Sequence, residues 1–157
     1  MPKTLYLENT IVSYLTAKPS RDVHVRVHQE TTRLWWRTRR KEFQVFVSPL
    51  VLEEAAAGDQ IAARRRTRLL RRLPQLAITD SVSRIAETLV DRGAIPRVAE
   101  VDAVHVALAA VHGLDYLLTW NCKHIANATK RVEIEELCRE QGFEPPVICT
   151  PEELMED

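Results

Sequence analysis

Cysteine is scarce and odd in number in this chain of 157 residues: Cys122, Cys138 and Cys149 lack the paired spacing of a zinc site. Such a set excludes a disulfide framework and a structural zinc, leaving reduced thiols as the expectation. No apolar run approaches the roughly 18 residues that a membrane span needs, so no crossing is expected. The start, Met1-Pro2-Lys3-Thr4, leads straight into a strand-like run rather than a leader pattern, and a soluble, cytoplasmic protein is expected. An excess of one charge is also missing: basic and acidic residues number 22 each, for a formal net charge of zero. The total therefore gives no sign of a polyanion partner. Internal repeats, low-complexity tracts and linkers are absent too, and a single domain over residues 1–157 is the natural reading.

What is present is charge segregation. Five basic residues and no acid lie between Arg33 and Lys41, and six with no acid between Arg64 and Arg72. Acids gather late, at Glu144, Glu152, Glu153, Glu156 and Asp157. The second basic run reads equally as a phosphate-binding helix face or as a solvated one. Trp35 and Trp36, beside Arg33 and Arg37, suit either core or interface packing, or the stacking of bases in a single-strand groove.

Short β-like runs occur at residues 4–7, 43–47, 75–78, 115–119 and 146–149, with helical periodicity between most of them. That alternation predicts a parallel sheet covered by helices. Asn9 or Thr10 caps a helix to about Leu15, and a longer helix runs from about Val23 to Arg40. Pro49 suits a first helical turn, Gly58 ends or bends that helix, and the Arg-rich stretch continues helical until Pro74 stops it. Asp80 or Ser81 caps the next helix, which Gly93 closes. Val101, Val104, Leu108 and Val111 recur at spacings of three, four and three, predicting an apolar stripe toward the sheet. Asp102, His105, Ala109 and His112 form the adjoining stripe.

Four oxygen-bearing residues stand where such a fold gathers ligands. Glu8 closes the run Leu5-Tyr6-Leu7, Glu54 comes early in the helix after Val45-Phe46-Val47, Asp102 opens a helix, and Asn121 follows Tyr116-Leu117-Leu118-Thr119. In open parallel sheets the ligand crevice lies beyond the carboxyl ends of the strands. Mg²⁺ and Mn²⁺ prefer hard oxygen donors, and a carboxylate cluster tolerates its own repulsion when a cation neutralises it. Hydrolysis of a nucleic-acid backbone is the reaction such a site suits. Singly, each residue also has an ordinary role. Glu8 and Asp102 suit a helix's first turn, Asn121 suits a turn or cap, and either Glu53 or Glu54 points inward. His105, one turn from Asp102, is placed to bond a carboxylate or phosphate, or simply to pack. Cys122 and His124 have no second pair to make a soft metal site.

The residues that carry a family resemblance are Tyr6-Leu7-Glu8-Asn9-Thr10 with Ile11 to Leu15, then Val47-Ser48-Pro49-Leu50-Val51-Leu52-Glu53-Glu54, then Val101 to Asn127. The last holds Asp102-Ala103-Val104-His105, Asp115-Tyr116-Leu117-Leu118-Thr119-Trp120-Asn121 and Lys123-His124-Ile125-Ala126-Asn127. In these stretches the chain resembles the PIN domain family, especially its VapC-like toxin branch. The resemblance implies a three-layer α/β/α sandwich with a central parallel sheet of four to five strands, and Mg²⁺- or Mn²⁺-dependent ribonuclease activity. It places the family's acids on Glu8, Glu54 and Asp102, the second on Glu54 because of Gly58 four residues later, and a fourth position on Asn121. Thr10 falls where a hydroxyl commonly supports the first acid or its metal, and His105 is the supporting residue that spacing from Asp102 already suggested. Arg64, Arg65, Arg68 and Arg72 would guide RNA, and an antitoxin and a second copy of the chain are the implied protein partners. Two positions depart from the family's pattern: Glu8 is one methylene longer than the usual aspartate, and Asn121 is neutral. The alternative is therefore a catalytically weak or silent module that binds RNA or protein.

Overall fold

A computed structural model of the chain describes residues 1–155. Four strands form one sheet: β1 (Lys3–Leu7), β2 (Phe43–Phe46), β3 (Tyr116–Leu118) and β4 (Val147–Cys149). Their order is β2-β1-β3-β4 and every pairing is parallel, with Leu5 opposite Val45 on one side and Tyr116 on the other. β1 is thus central and covered on both faces, which is why Leu5, Tyr6 and Leu7 are all fully buried. The chain leaves β1 toward β2 on one side, while β3 takes the other. The crevice at the carboxyl ends of β1 and β3 is consequently the switch point of the sheet.

Among the described residues seven α-helices flank it: α1 (Asn9–Thr16), α2 (Val23–Thr38), α3 (Pro49–Ala56), α4 (Gln60–Leu70), α5 (Asp80–Asp91), α6 (Glu100–Val111) and α7 (Ala128–Glu140). α1 packs with α2, α3 and α4, and α5 packs with α6 and α7, giving the α/β/α layering. Local chemistry fixes the helix ends. Ser48 caps α3 through its hydroxyl and Pro49 occupies the first position, where a missing N–H costs nothing. Gly58 and Gly93 leave α3 and α5 at φ of +82° and +79°, a conformation that side chains with a Cβ disfavour. No described helix is long and apolar enough to cross a membrane.

Several sequence expectations shift by physical detail. The run 75–78 makes a single bridge, Gln75 to Val47, with the Val47 N–H donating to the Pro74 carbonyl and the Leu76 N–H to the Val47 carbonyl. Caps fall one residue earlier than expected: Glu8 rather than Asn9 or Thr10, and Thr79 rather than Asp80 or Ser81. α2 ends at Thr38 with a 3₁₀ turn at Arg40–Glu42, and α4 ends at Leu70 rather than Leu73. In α6 the valine stripe is not the innermost face: Val101 is exposed, and Val101 and Val104 line a hollow against Ala86 and Val90 of α5. Small side chains, Ala103, Ala107 and Ala110, are turned fully inward with Val106, since alanines let a helix approach its neighbours closely.

Candidate active site

Glu8 follows β1 directly, and its N–H donates to the Leu118 carbonyl. It is 3% exposed, so its carboxylate requires partners. Three are present. Oε1 accepts the Thr10 and Thr119 hydroxyls, both at 2.5 Å, and Oε2 accepts the Thr10 N–H at 3.0 Å. The two hydroxyls in turn accept the N–H groups of Trp120 and Asn121 at 2.9 Å. Glu8 therefore stitches the start of α1 to the segment after β3 while it caps the helix. Thr10 thus gives this carboxylate both its hydroxyl and its N–H.

A second hydrogen-bonded chain runs from the core to the cleft. The Tyr6 hydroxyl lies 2.8 Å from Ser48 Oγ and 2.6 Å from His105 Nδ1, and His105 Nε2 lies 2.5 Å from Glu54 Oε1. An ionised carboxylate only accepts, so the network assigns the Nε2 proton to His105 with Glu54 as acceptor. In the neutral tautomer Tyr6 donates to Nδ1 and accepts from Ser48. Burial pushes the Tyr6 phenol far above its ordinary range, opposed by the Ser48 bond and reinforced by the charges of Glu8 and Glu54. The phenol is thus neutral. His105 is fully buried and bonds Glu54, on the neighbouring wall, rather than Asp102 on its own helix.

Glu54 and Asp102 line one cavity of about 600 Å³. The α3 wall contributes Leu50, Glu53, Glu54 and Ala57, and the opposite wall contributes Val98, Ala99, Val101 and Asp102. Glu54 turns toward His105, whereas Glu53 is exposed at the rim. Lys123 and His124 complete the lining. Neither was singled out as a site residue by spacing, because a lysine in a turn carries no pattern and His124 was weighed only as a soft metal ligand. Asn121 sits beside the cavity with its side chain engaged: Oδ1 accepts the His124 N–H at 3.0 Å, and its own carbonyl accepts from Ile125 and Ala126. It shapes the turn that presents Lys123 and His124. Arg64, Arg65, Arg68 and Arg72 are all exposed, on α4 and just beyond it.

Among the described residues, no three His, Cys, Asp or Glu side chains form a group arranged to hold a metal ion. The donor set is smaller: Glu54 and Asp102 face the cavity, and Glu8 retains spare acceptor capacity on Oε2, which takes one hydrogen bond where Oε1 takes two. Mg²⁺ is commonly held by one or two carboxylates together with water and substrate phosphates. Two hard oxygen side chains on facing walls fit that mode, with Asp102 accepting no hydrogen bond among the described residues and Glu54 oriented by His105.

Fold and cleft together define a parallel α/β/α protein with an acidic cavity at the carboxyl ends of its central strands. The model of the PIN domain matches residues 22–128, and the chain belongs to that family, whose members are in general nucleases that use divalent metal ions. The matched span holds Glu54, Asp102 and Asn121 and leaves Glu8 outside it. Among solved structures, the fold is similar to VapBC2 from Rickettsia felis, bound to a DNA fragment from their promoter. The TM-score is 0.59 at 13% identity, covering 94% of this chain and 98% of that one. No curated protein matches the chain.

Proposed function

We propose that this chain is a divalent-metal-dependent endoribonuclease and the toxin of a toxin–antitoxin pair. The observation that carries the reading is the shared cavity of Glu54 and Asp102 in a chain of a nuclease family. Mg²⁺ or Mn²⁺ bound there supplies Lewis acidity for water attack and neutralises phosphate charge. The chain's own groups prepare the ground. His105 holds the Glu54 carboxylate in one orientation, and Lys123 brings an ammonium group to the rim for a phosphate oxygen. Glu8 with Thr10 and Thr119, and Asn121 through His124, fix the segments that form the crevice floor. Exposed Arg64, Arg65, Arg68 and Arg72 guide the RNA backbone. The antitoxin follows by analogy with the VapBC2 assembly, and a cytoplasmic homodimer belongs to the same reading.

The test is cleavage of single-stranded RNA by purified protein with Mn²⁺, against Asp102→Ala and Glu54→Gln. Wild-type cleavage that both variants largely lose is expected, and equal rates overturn the assignment. A second reading, a silent module that binds RNA or protein, is favoured by the Glu8 carboxylate being buried and engaged in capping and by the neutral Asn121. RNA binding without metal-dependent cleavage at micromolar enzyme would establish it instead.

A further inference from the structure

The two basic runs, far apart in sequence, meet across the last turn of α1. A groove of about 440 Å³ has an apolar floor of Leu15, Trp36 and Leu69 and a rim of Arg33, Arg37, Arg40 and Lys41. A neighbouring hollow of about 320 Å³ shares the end of α1 and adds Lys18, Arg65 and Arg66, with Asp59 as its single acid. Some of these cations have structural duties: Arg66 donates to the Ala55 and Ala57 carbonyls, and Arg33 to that of Ala17. Arg37, Arg40, Lys41 and Arg65 make no ion pair among the described residues. In a chain of zero net charge, this is a local positive surface with one acid, Asp59, among its lining residues.

Its position separates it from the acidic cavity. α2 and the 3₁₀ turn at Arg40–Glu42 feed into Phe43, which pairs with Lys3 at the amino ends of the strands. α1 starts at the carboxyl ends and carries the chain about 12 Å back along its eight residues to the groove. We propose that this groove is a second binding site, for the phosphodiester backbone of single-stranded RNA, at the end of the sheet remote from Glu54 and Asp102.

The chemistry favours RNA over an acidic peptide. The Arg40 guanidinium lies over the Trp36 ring at 4.4 Å from its centroid, and a planar guanidinium stacked on indole leaves a face on which a nucleobase continues the stack. Carboxylates of a peptide pair with guanidinium groups but have no planar ring for that position. Phosphates spaced along a strand also suit a row of unpaired cations better than one fixed anion does.

The experiment measures binding of a labelled single-stranded RNA by fluorescence anisotropy in EDTA, so that cleavage plays no part and its failure leaves the result unaffected. Arg37, Arg40 and Lys41, each meeting a phosphate, together contribute about 2.1 to the slope of log Kd against log salt, from roughly 0.7 per contact. Arg37→Ala, Arg40→Ala and Lys41→Ala together lower the slope by that amount, which is about an eighteenfold smaller rise in Kd between 50 and 200 mM salt. The double variant Arg37→Gln, Lys41→Gln, confined to exposed positions, lowers the slope by about 1.4 and answers the question if the triple variant misfolds. Trp36→Leu weakens binding about fivefold or more with the salt slope unchanged, as loss of stacking does. Arg84→Gln, which removes an exposed cation from α5 in the opposite helical layer, leaves both quantities at their wild-type values. Unchanged affinity and slope in the groove variants overturn the proposal, as does tighter binding of a polyglutamate peptide or of single-stranded DNA than of RNA.

Discussion

Replacing Glu8 by alanine separates a scaffold role from a ligand role, because the structure gives this carboxylate three protein donors and gives Asp102 none among the described residues. Loss of a helix cap costs about 1 kcal/mol. A hydrogen bond to a charged acceptor contributes about 1.5–3 kcal/mol, and an orphaned buried donor adds to the loss. The threonine hydroxyls keep their backbone donors from Trp120 and Asn121 and can rotate to other acceptors, so one such bond rather than two is the fair count. The total is about 3 kcal/mol, which for a domain of this size lowers Tm by about 6–12 °C. Asp102→Ala, at a partly exposed position without such bonds, changes stability by about 0.5 kcal/mol or less. Glu8→Asp keeps the cap but shortens the reach to Thr119, and falls between the two. The assay is thermal unfolding by circular dichroism at pH 7 in EDTA. If Glu8→Ala melts no lower than Asp102→Ala, the carboxylate is not the anchor described above.

Two further outcomes follow from the titratable groups. Hydrogen bonds from the Thr4 N–H and hydroxyl hold the Asp115 carboxyl below its ordinary value, joining the starts of β1 and β3. The stability this contributes is present above the unfolded carboxyl's pKa and is lost as pH falls through the lower folded value. Asp115→Asn should therefore reduce stability at pH 7 and flatten its decline below about pH 4, measured by urea unfolding across that range. Burial pushes the Cys138 and Cys149 thiols up to about 11 and about 12; desolvation raises Cys122 as well, but that thiol is exposed and reachable. One thiol of three should react quickly with a thiol reagent at pH 8 in the folded protein and all three in urea; three fast thiols would contradict the packing.

Much of the frame could be read from the chain because it is written in local terms. The run Leu5-Tyr6-Leu7 is apolar throughout, as a strand covered on both faces must be, and Pro49 and Gly93 act through their own backbone limits. The cavity was legible only in outline. That Glu54 and Asp102 follow the correct elements is a matter of order along the chain, but Tyr6, His105 and Glu54 are joined across separations of 99 and 51 residues, which no spacing reveals. Asn121 offered a ligand and a turn residue in the same letters, and only the His124 contact shows its oxygen engaged within the turn. The basic runs read as two separate stretches until α1 brought their helices side by side.

The Ser48–Tyr6–His105–Glu54 chain has a mechanical consequence. It ties the foot of α3 to the middle of α6 through a side chain of the innermost strand, so the two walls of the acidic cavity are clamped at a set separation. Bulky cargo cannot be admitted by spreading those helices without breaking buried contacts. Any give must come from the lip, where Val98 stands 92% exposed on the short turn Arg97–Ala99.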